Sequence, residues 1–136
     1  RDSYKINQGT TTRFHDISRV DVADEDGAPI ISIFRGTPRP KPIEITMMER
    51  HPLGSQAFMP LGPDPWLSVV APDRDGRPGD VLAFLVPSGM GVNLRAGVWH
   101  GVLTPLDRAA DFLVVDREGE GVNLEEVRIA PVSITA

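Results

Sequence analysis

Three histidines occur in this chain of 136 residues, His15, His51 and His100, and His51 has an acidic neighbour. Glu49 and His51 are separated by one residue, so a strand through them would project both side chains from the same face. A neutral imidazole can accept a proton near pH 7. Imidazole and carboxylate groups also suit a divalent ion of the Ni, Zn or Mn type. The pair indicates acid–base chemistry or a metal site, with His100 as a further candidate.

The strand that carries Glu49 and His51 is predicted to point both side chains inward. Their phase of the strand also holds Ile43, Ile45 and Met47, and the opposite phase holds Thr46, Met48 and Arg50. Burying a Glu and a His without partners is unfavourable, so a metal, a ligand or a polar network must compensate. In the alternative interpretation, the inward phase switches at a β-bulge and His51 is a surface residue before Pro52.

Short strands separated by turns are predicted along the rest of the chain. Runs of strand length, rich in β-branched and aromatic residues, cover residues 30–35, 43–48, 67–70, 81–86 and 111–116. Residues typical of turns separate these runs, and no apolar helical period persists long enough to predict a helix. We therefore expect one all-β domain over residues 1–136, a β-sandwich or small β-barrel with little helix.

Composition excludes several classes of function. Lys and Arg number 14 against 19 Asp and Glu, a net charge of −5, so the chain lacks the basic surface that binds nucleic acid or anionic lipid. No Cys is present, which excludes disulfides and thiolate metal sites and fits a cytoplasmic location. No apolar run approaches the roughly 20 residues of a membrane helix. Because the chain opens on Arg1, we expect a native N-terminal segment to be missing.

Two long segments carry the most specific motifs. Residues 49–61 read ERHPLGSQAFMPL, and residues 91–100 read GVNLRAGVWH. Further matching positions are Asn7 with Gly9 and the runs 13–16, 32–35 and 111–117. Through these segments the chain resembles the ureidoglycolate lyase family, formerly called ureidoglycolate hydrolase, of the cupin superfamily. The resemblance spans nearly the whole chain, with a weak match over the last dozen residues.

The cupin motifs fall on the same residues. In a cupin the first motif supplies His-x-His and then an acidic ligand, and here Glu49-x-His51 is followed by Gln56. The second motif keeps its glycine and histidine spacing and ends at His100, with Arg95 where proline is usual. The resemblance implies a cupin-like double-stranded β-helix in which one divalent metal of the Ni, Zn or Mn type is held by Glu49, His51, Gln56 and His100. A metal-free polar site that binds substrate through the same residues is the alternative.

The resemblance also implies the substrate, (S)-ureidoglycolate, which breaks into glyoxylate and urea in allantoin and purine catabolism. This cleavage needs a base for the hydroxyl proton, an acid for the departing nitrogen and a cation for the carboxylate. We expect His100 or His51 to act on the hydroxyl, directly or with a metal as Lewis acid, and Glu49 to be the next candidate. Arg35 or Arg95 is expected to bind the carboxylate, the alternative being that both are ordinary surface cations.

Gln56, Asn93 and His15 complete the candidate substrate-binding residues. The family resemblance implies a homodimer, and we expect His15 to reach either the pocket or the dimer interface. Two other functions fit the same motifs. One is a cupin enzyme that acts on a different small hydroxy or amide acid, and the other is a cupin that binds a ligand without turning it over.

Overall fold

The computed structural model describes residues 2–135, and nearly all of their regular structure is β-strand. Two short 3-10 turns, Asn7–Gly9 and Asp24–Asp26, are the helical segments of this part of the chain. The all-β prediction is confirmed. The strands are β1 (Ser3–Ile6), β2 (Thr11–Phe14), β3 (Ala28–Gly36), β4 (Ile43–Arg50), β5 (Gln56–Pro60), β6 (Trp66–Ala71), β7 (Asp73–Arg74), β8 (Arg77–Pro78), β9 (Leu82–Val86), β10 (Val92–Leu94), β11 (Trp99–His100), β12 (Thr104–Pro105), β13 (Ala110–Glu118) and β14 (Glu125–Ile134).

Two antiparallel sheets form the body of the fold. The four-stranded sheet has the order β10-β5-β13-β3, and the six-stranded sheet has the order β12-β6-β11-β4-β14 with β9 also paired to β6. The hairpins β1-β2 and β7-β8 form separate two-stranded sheets. Over residues 2–135 the strands do not close into one hydrogen-bonded barrel, so the sandwich form of the prediction describes them better. The arrangement is consistent with a cupin-like β fold.

Aromatic side chains join the two sheets. Trp66 of the six-stranded sheet lies 6.2 Å from Phe58 and 5.0 Å from Phe112, both on the four-stranded sheet, measured between ring centroids. With Val86 and Val114 they form one buried cluster. Large aromatic rings bury more apolar area than other side chains, so these contacts hold the sheets face to face. No helix within residues 2–135 is long and apolar enough to cross a membrane.

The strand that carries Glu49 differs in one respect from its predicted pattern. Ile43 and Ile45 are buried, as expected, but Met48 of the opposite phase is completely buried as well. Met48 belongs to the same core cluster as Ile43 and Ile45, and its cross-strand partner Val127 on β14 packs against that cluster. Strict alternation therefore fails within β4, because Glu44 and Thr46 are exposed whereas Met48 of the same phase is buried.

Candidate active site

A cavity of about 430 Å³ lies between the two sheets and contains the polar residues that the motifs predicted. Glu49 and His100 line it from the six-stranded sheet, and His51 does so from the position directly after β4. Gln56 and Asp116 line it from the four-stranded sheet. The two sheets thus present polar groups to one space whose remaining walls are mostly apolar.

Glu49, His51 and His100 form a compact cluster in this cavity. His100 of β11 pairs directly with Glu49 of β4, so their side chains leave neighbouring strands side by side. The imidazole rings of His51 and His100 lie 5.1 Å apart between centroids. One nitrogen or oxygen from each of the three side chains lies within 4.8 Å of the others. His51 therefore faces the cavity. The β-bulge alternative, in which His51 lies on the surface, is wrong.

Hydrogen bonds fix which nitrogen of each imidazole carries the proton. Nδ1 of His51 lies 2.8 Å from the main-chain oxygen of Asn123, and Nδ1 of His100 lies 2.9 Å from that of Gly101. A carbonyl oxygen only accepts, so in both rings Nδ1 is the donor. The Nε2 atoms of both rings are buried and have no partner. When the rings are neutral, both Nε2 lone pairs are free to bind a proton or a metal ion.

The environment changes the proton affinity of two members of the cluster. Burial lowers the pKa of His100, and the nearby His51 lowers it further, although the hydrogen bond to Gly101 opposes both effects. Burial raises the pKa of Glu49, His51 opposes this, and Glu126 raises it again. His100 therefore stays neutral at pH 7, and Glu49 holds a proton more readily than an exposed carboxylate would.

A tight turn at Gly97 brings β11 back towards His51. The main-chain N–H of Gly97 donates to the carbonyl oxygen of His51 at 2.9 Å, and that of Val98 donates to Arg95 at 3.2 Å. Gly97 has a φ of +81°, a backbone conformation that glycine adopts without strain. Gly97 of the second motif therefore allows the turn that sets His100 beside Glu49.

A sequence model of a family described as "Ureidoglycolate lyase" matches residues 1–135. The chain belongs to this family. It is 54% identical over 124 residues to "Ureidoglycolate lyase" of Chelativorans sp. (strain BNC1), covering 91% of this chain and 75% of that protein. It is also 54% identical over 121 residues to "Ureidoglycolate lyase" of Burkholderia mallei (strain NCTC 10229), covering 89% of this chain and 71% of that protein. The identity to "Ureidoglycolate lyase 2" of Rhizobium meliloti (strain 1021) is 48% over 124 residues, which cover 91% of this chain and 76% of that protein.

The three clustered side chains fit the divalent metal that the resemblance to cupins implies. Glu49 offers a carboxylate, and His51 and His100 each offer a buried Nε2 that has no other partner. Two imidazoles and one carboxylate form a donor set typical of Ni, Zn or Mn. The carbonyl oxygens of Asn123 and Gly101 hold the two rings from behind, as outer hydrogen-bond partners do at protein metal sites.

Two predicted substrate-binding residues of this family member point away from the cavity. Phe34 on β3 lines the cavity, so Arg35 beside it faces the outer side of the sheet, where it forms an ion pair with Asp111 at 2.8 Å. Its side chain is 76% exposed. Leu94 on β10 lines the cavity, and the amide nitrogen of Asn93 beside it donates instead to Ser18 and to the carbonyl oxygen of Arg19. Strand alternation accounts for both positions.

The structure does not bring the other two candidates into the cavity wall either. Arg95 is exposed in the turn before Gly97. His15 follows β2, and its ring lies 6.0 Å from that of Tyr4 between centroids. Gln56 does line the cavity, and its amide nitrogen donates to Asp116 at 3.1 Å.

Two residues that the sequence reasoning did not select belong to the site. Asp116 lines the cavity, and Asn123 binds His51 through its main-chain oxygen while its side-chain oxygen accepts from the N–H of Leu53 at 2.8 Å. The sequence leaves the direction of Asp116 open, because Leu113 and Val115 of the opposite phase are as apolar as Phe112 and Val114 of its own. In the structure Phe112 and Val114 are buried, which shows that the phase of Asp116 faces inward.

Proposed function

We propose that this chain cleaves (S)-ureidoglycolate to glyoxylate and urea in the cavity between its two sheets. The observation that carries the proposal is the cluster of Glu49, His51 and His100, in which both buried Nε2 atoms lack a partner. The cleavage needs a proton acceptor for the hydroxyl group and a proton donor for the departing nitrogen. Two such groups lie within a few ångströms of each other in this cluster. No nucleophile is needed, since the substrate already carries the hydroxyl group that becomes the carbonyl of glyoxylate.

The reaction balances with the chain's own side chains. Nε2 of His100, kept neutral by burial, takes the proton of the C2 hydroxyl as the oxygen forms a double bond to carbon. The C–N bond breaks, and its electron pair goes to the departing nitrogen. The carboxyl of Glu49, whose pKa is raised by burial, delivers a proton to that nitrogen and urea leaves. The proton on His100 then returns to Glu49 through the site or solvent.

The same three side chains also support a metal-assisted form of the site, which we propose as its second arrangement. A divalent ion held by Glu49, His51 and His100 would supply Lewis acidity to the hydroxyl oxygen and positive charge for the substrate carboxylate. Among the described residues that line the cavity, none is Lys or Arg. The substrate carboxylate therefore has no cationic side chain in the cavity wall to bind it, which supports the need for another positive charge.

Product analysis tests the function directly. The purified protein should release glyoxylate and urea in equal amounts, with negligible ammonia, faster than ureidoglycolate decays in buffer. Glu49→Gln should slow the reaction about 100-fold or more. Glu44→Gln is the matched control, because Glu44 lies on the same strand but is exposed. Ammonia as the main nitrogen product, or no acceleration, would contradict the proposal.

Exhaustive chelation separates the two forms of the site. If activity disappears and returns with Ni, Zn or Mn, the three side chains hold the ion. If the chelated protein keeps full activity, the side chains act as acid and base by themselves. Metal content measured on Glu49→Gln and on the wild type gives an independent readout, because the carboxylate is one of the proposed ligands.

We also propose that the chain forms a homodimer through the outer face of the four-stranded sheet. Ile31 and Ile33 are 72% and 55% exposed there, and their cross-strand partners Val115 and Leu113 continue the apolar face towards Met59. Exposed apolar patches of this kind are typical of interfaces between proteins. Sedimentation should give a dimer for the wild type and a monomer for Ile33→Asp. Val122→Asp, at an exposed residue outside this face, is the control.

A cytoplasmic location is part of the same proposal. The chain contains no Cys, so nothing in its covalent structure requires an oxidising compartment. Fractionation of the source cells, with the protein followed by antibody, would contradict this location if the protein were found outside the cytoplasm.

A further inference from the structure

Gln56 and Asp116 form a pair of hydrogen-bond acceptors that the proposed cleavage chemistry does not use. Val115 of β13 pairs with Ala57 of β5, so the next residues along these antiparallel strands, Asp116 and Gln56, are neighbours on the opposite face. Both line the cavity from the four-stranded sheet. They do not belong to the cluster of Glu49, His51 and His100, which the six-stranded sheet and the end of β4 supply.

The contact between the two side chains fixes the orientation of the Gln56 amide. Nε2 of Gln56 donates to Oδ2 of Asp116 at 3.1 Å. A carboxylate oxygen accepts this hydrogen bond, so the NH₂ group must face Asp116 and the amide oxygen must point elsewhere. Gln56 is only 7% exposed, and its Oε1 is buried without a partner. An unsatisfied buried acceptor is unfavourable, which marks the place where a donor belongs.

The donors that match this pair belong to the ureido end of the substrate. A ureido group carries an N–H and a terminal NH₂, whereas the glycolate end carries a carboxylate that only accepts and one hydroxyl whose proton the proposed cleavage gives to His100. A carboxylate placed against Asp116 and Oε1 of Gln56 would meet acceptors alone. Among small acids, the pair therefore favours one that presents two donors to this wall while its carboxylate lies elsewhere, and the ureido group of the substrate supplies them.

We propose that Oε1 of Gln56 and the carboxylate of Asp116 bind the N–H groups of the ureido group and select for it. This inference rests on the proposed function and gives the substrate one orientation. The ureido end lies against the four-stranded sheet, and the hydroxyl and carboxylate lie towards His51 and His100. Asp116 is then a specificity-determining residue, and Gln56 serves the substrate as an acceptor and not as a metal ligand.

Binding of two unreactive analogues tests the proposal. Ureidoacetate keeps the ureido group and the carboxylate but lacks the hydroxyl, so it cannot be cleaved. N-acetylglycine is similar in shape and carries a methyl group in place of the terminal NH₂. Calorimetry on the full wild-type chain should show that ureidoacetate binds at least about tenfold more tightly, because the methyl compound keeps one N–H and leaves the acceptor that faces its methyl group unpaired.

Three variants locate the source of this preference. Gln56→Met removes the acceptor at similar volume, and Asp116→Asn keeps a partner for the Gln56 amide but removes the charge. Both should bind the two analogues within about threefold of each other. Asp111→Asn is the matched control, since Asp111 lies on the same strand but faces outward and pairs with Arg35. This control should keep the wild-type preference.

Equal binding of the two analogues by the wild type, or no binding of ureidoacetate, would overturn the proposal without need of any variant. A preference that survives in a folded Gln56→Met protein would overturn it as well. The turnover assay separates this inference from the function on which it rests. A chain that cleaves ureidoglycolate without preferring ureidoacetate contradicts the recognition pair alone, whereas a chain that prefers ureidoacetate but cleaves nothing contradicts only the proposed activity.

Discussion

His51 and Asn123 lie 72 positions apart in the chain, yet Nδ1 of His51 donates to the main-chain oxygen of Asn123 at 2.8 Å. The side-chain oxygen of Asn123 accepts from the N–H of Leu53 at the same distance. Asn123 therefore holds both the imidazole and the backbone that follows it. The bond to Nδ1 determines that Nε2 is the free nitrogen in the cavity, so a residue outside the cavity wall controls what His51 can do there.

Asn123→Ala should lower kcat/KM by about tenfold. This is the smaller of the losses in activity that are typical when an outer hydrogen-bond partner of a site residue is removed. The main-chain oxygen remains, but the side chain that fixes its position is gone. Asn123→Asp keeps the acceptor for Leu53 and should recover most of the activity. Nitrogen chemical shifts of His51 should show a mixture of tautomers in the alanine variant. Unchanged kinetics with an unchanged tautomer would contradict this role.

Gly97→Ala should destabilise the fold by about 1–2 kcal/mol, the cost of a left-handed conformation for a residue with a side chain. No atom lies within 4 Å of the added methyl group, so backbone strain is the only source of the loss. Gly62→Ala is the control, because Gly62 has the same free space without a positive φ. Denaturant unfolding of both variants measures the difference. Equal stability of the two would show that the turn at Gly97 relaxes.

Arg35→Ala should leave KM for ureidoglycolate within about twofold of the wild-type value, as expected for an exposed residue away from the site. The guanidinium lies on the outer face of the sheet and pairs with Asp111. Steady-state kinetics measure KM directly. A rise of tenfold or more would place this cation at the substrate, for example across a dimer interface.

Asp73 should make part of the stability dependent on pH. Its carboxylate accepts from the Trp99 indole at 2.9 Å and pairs with Arg50, and the Trp99 hydrogen bond is the main reason that its pKa is lowered from 3.8. A lowered pKa stabilises the fold above 3.8, and this contribution is lost as the pH falls through the folded-state value. Asp73→Asn should therefore have a lower Tm than the wild type near pH 5, and the difference should shrink in more acidic buffer. A constant difference in Tm between the two proteins would contradict the linkage.

Strand alternation explains what could be predicted from the sequence. The run 43–48 falls within β4 and the run 111–116 within β13, and the phase of Glu49 places it in the cavity. The same rule leaves β3 ambiguous, because Ile31 and Ile33 share the phase of Arg35 and are as apolar as Phe34 of the opposite phase. The outward position of Arg35 therefore has no clear signal in the sequence of β3.

The remaining features depend on contacts between distant parts of the chain. β14 was not predicted because Pro131 and several charged residues interrupt its apolar pattern, and its pairing with β4 shifts register between Arg128 and Val132. The bond between His51 and the oxygen of Asn123 has no signal in residue type, because every residue has a carbonyl oxygen. Local patterns give the face of a strand, whereas only the folded chain shows which loop meets that face.

The lack of Lys and Arg among the described cavity-lining residues has a consequence for how fast substrate arrives. The chain carries a net charge of −5, and ureidoglycolate is itself an anion. The long-range field therefore repels the substrate before any contact is made, and mobile salt ions screen that repulsion over a Debye length of about 10 Å at 0.1 M. Diffusional capture should accelerate with added salt, so kcat/KM should rise with ionic strength while kcat stays nearly constant.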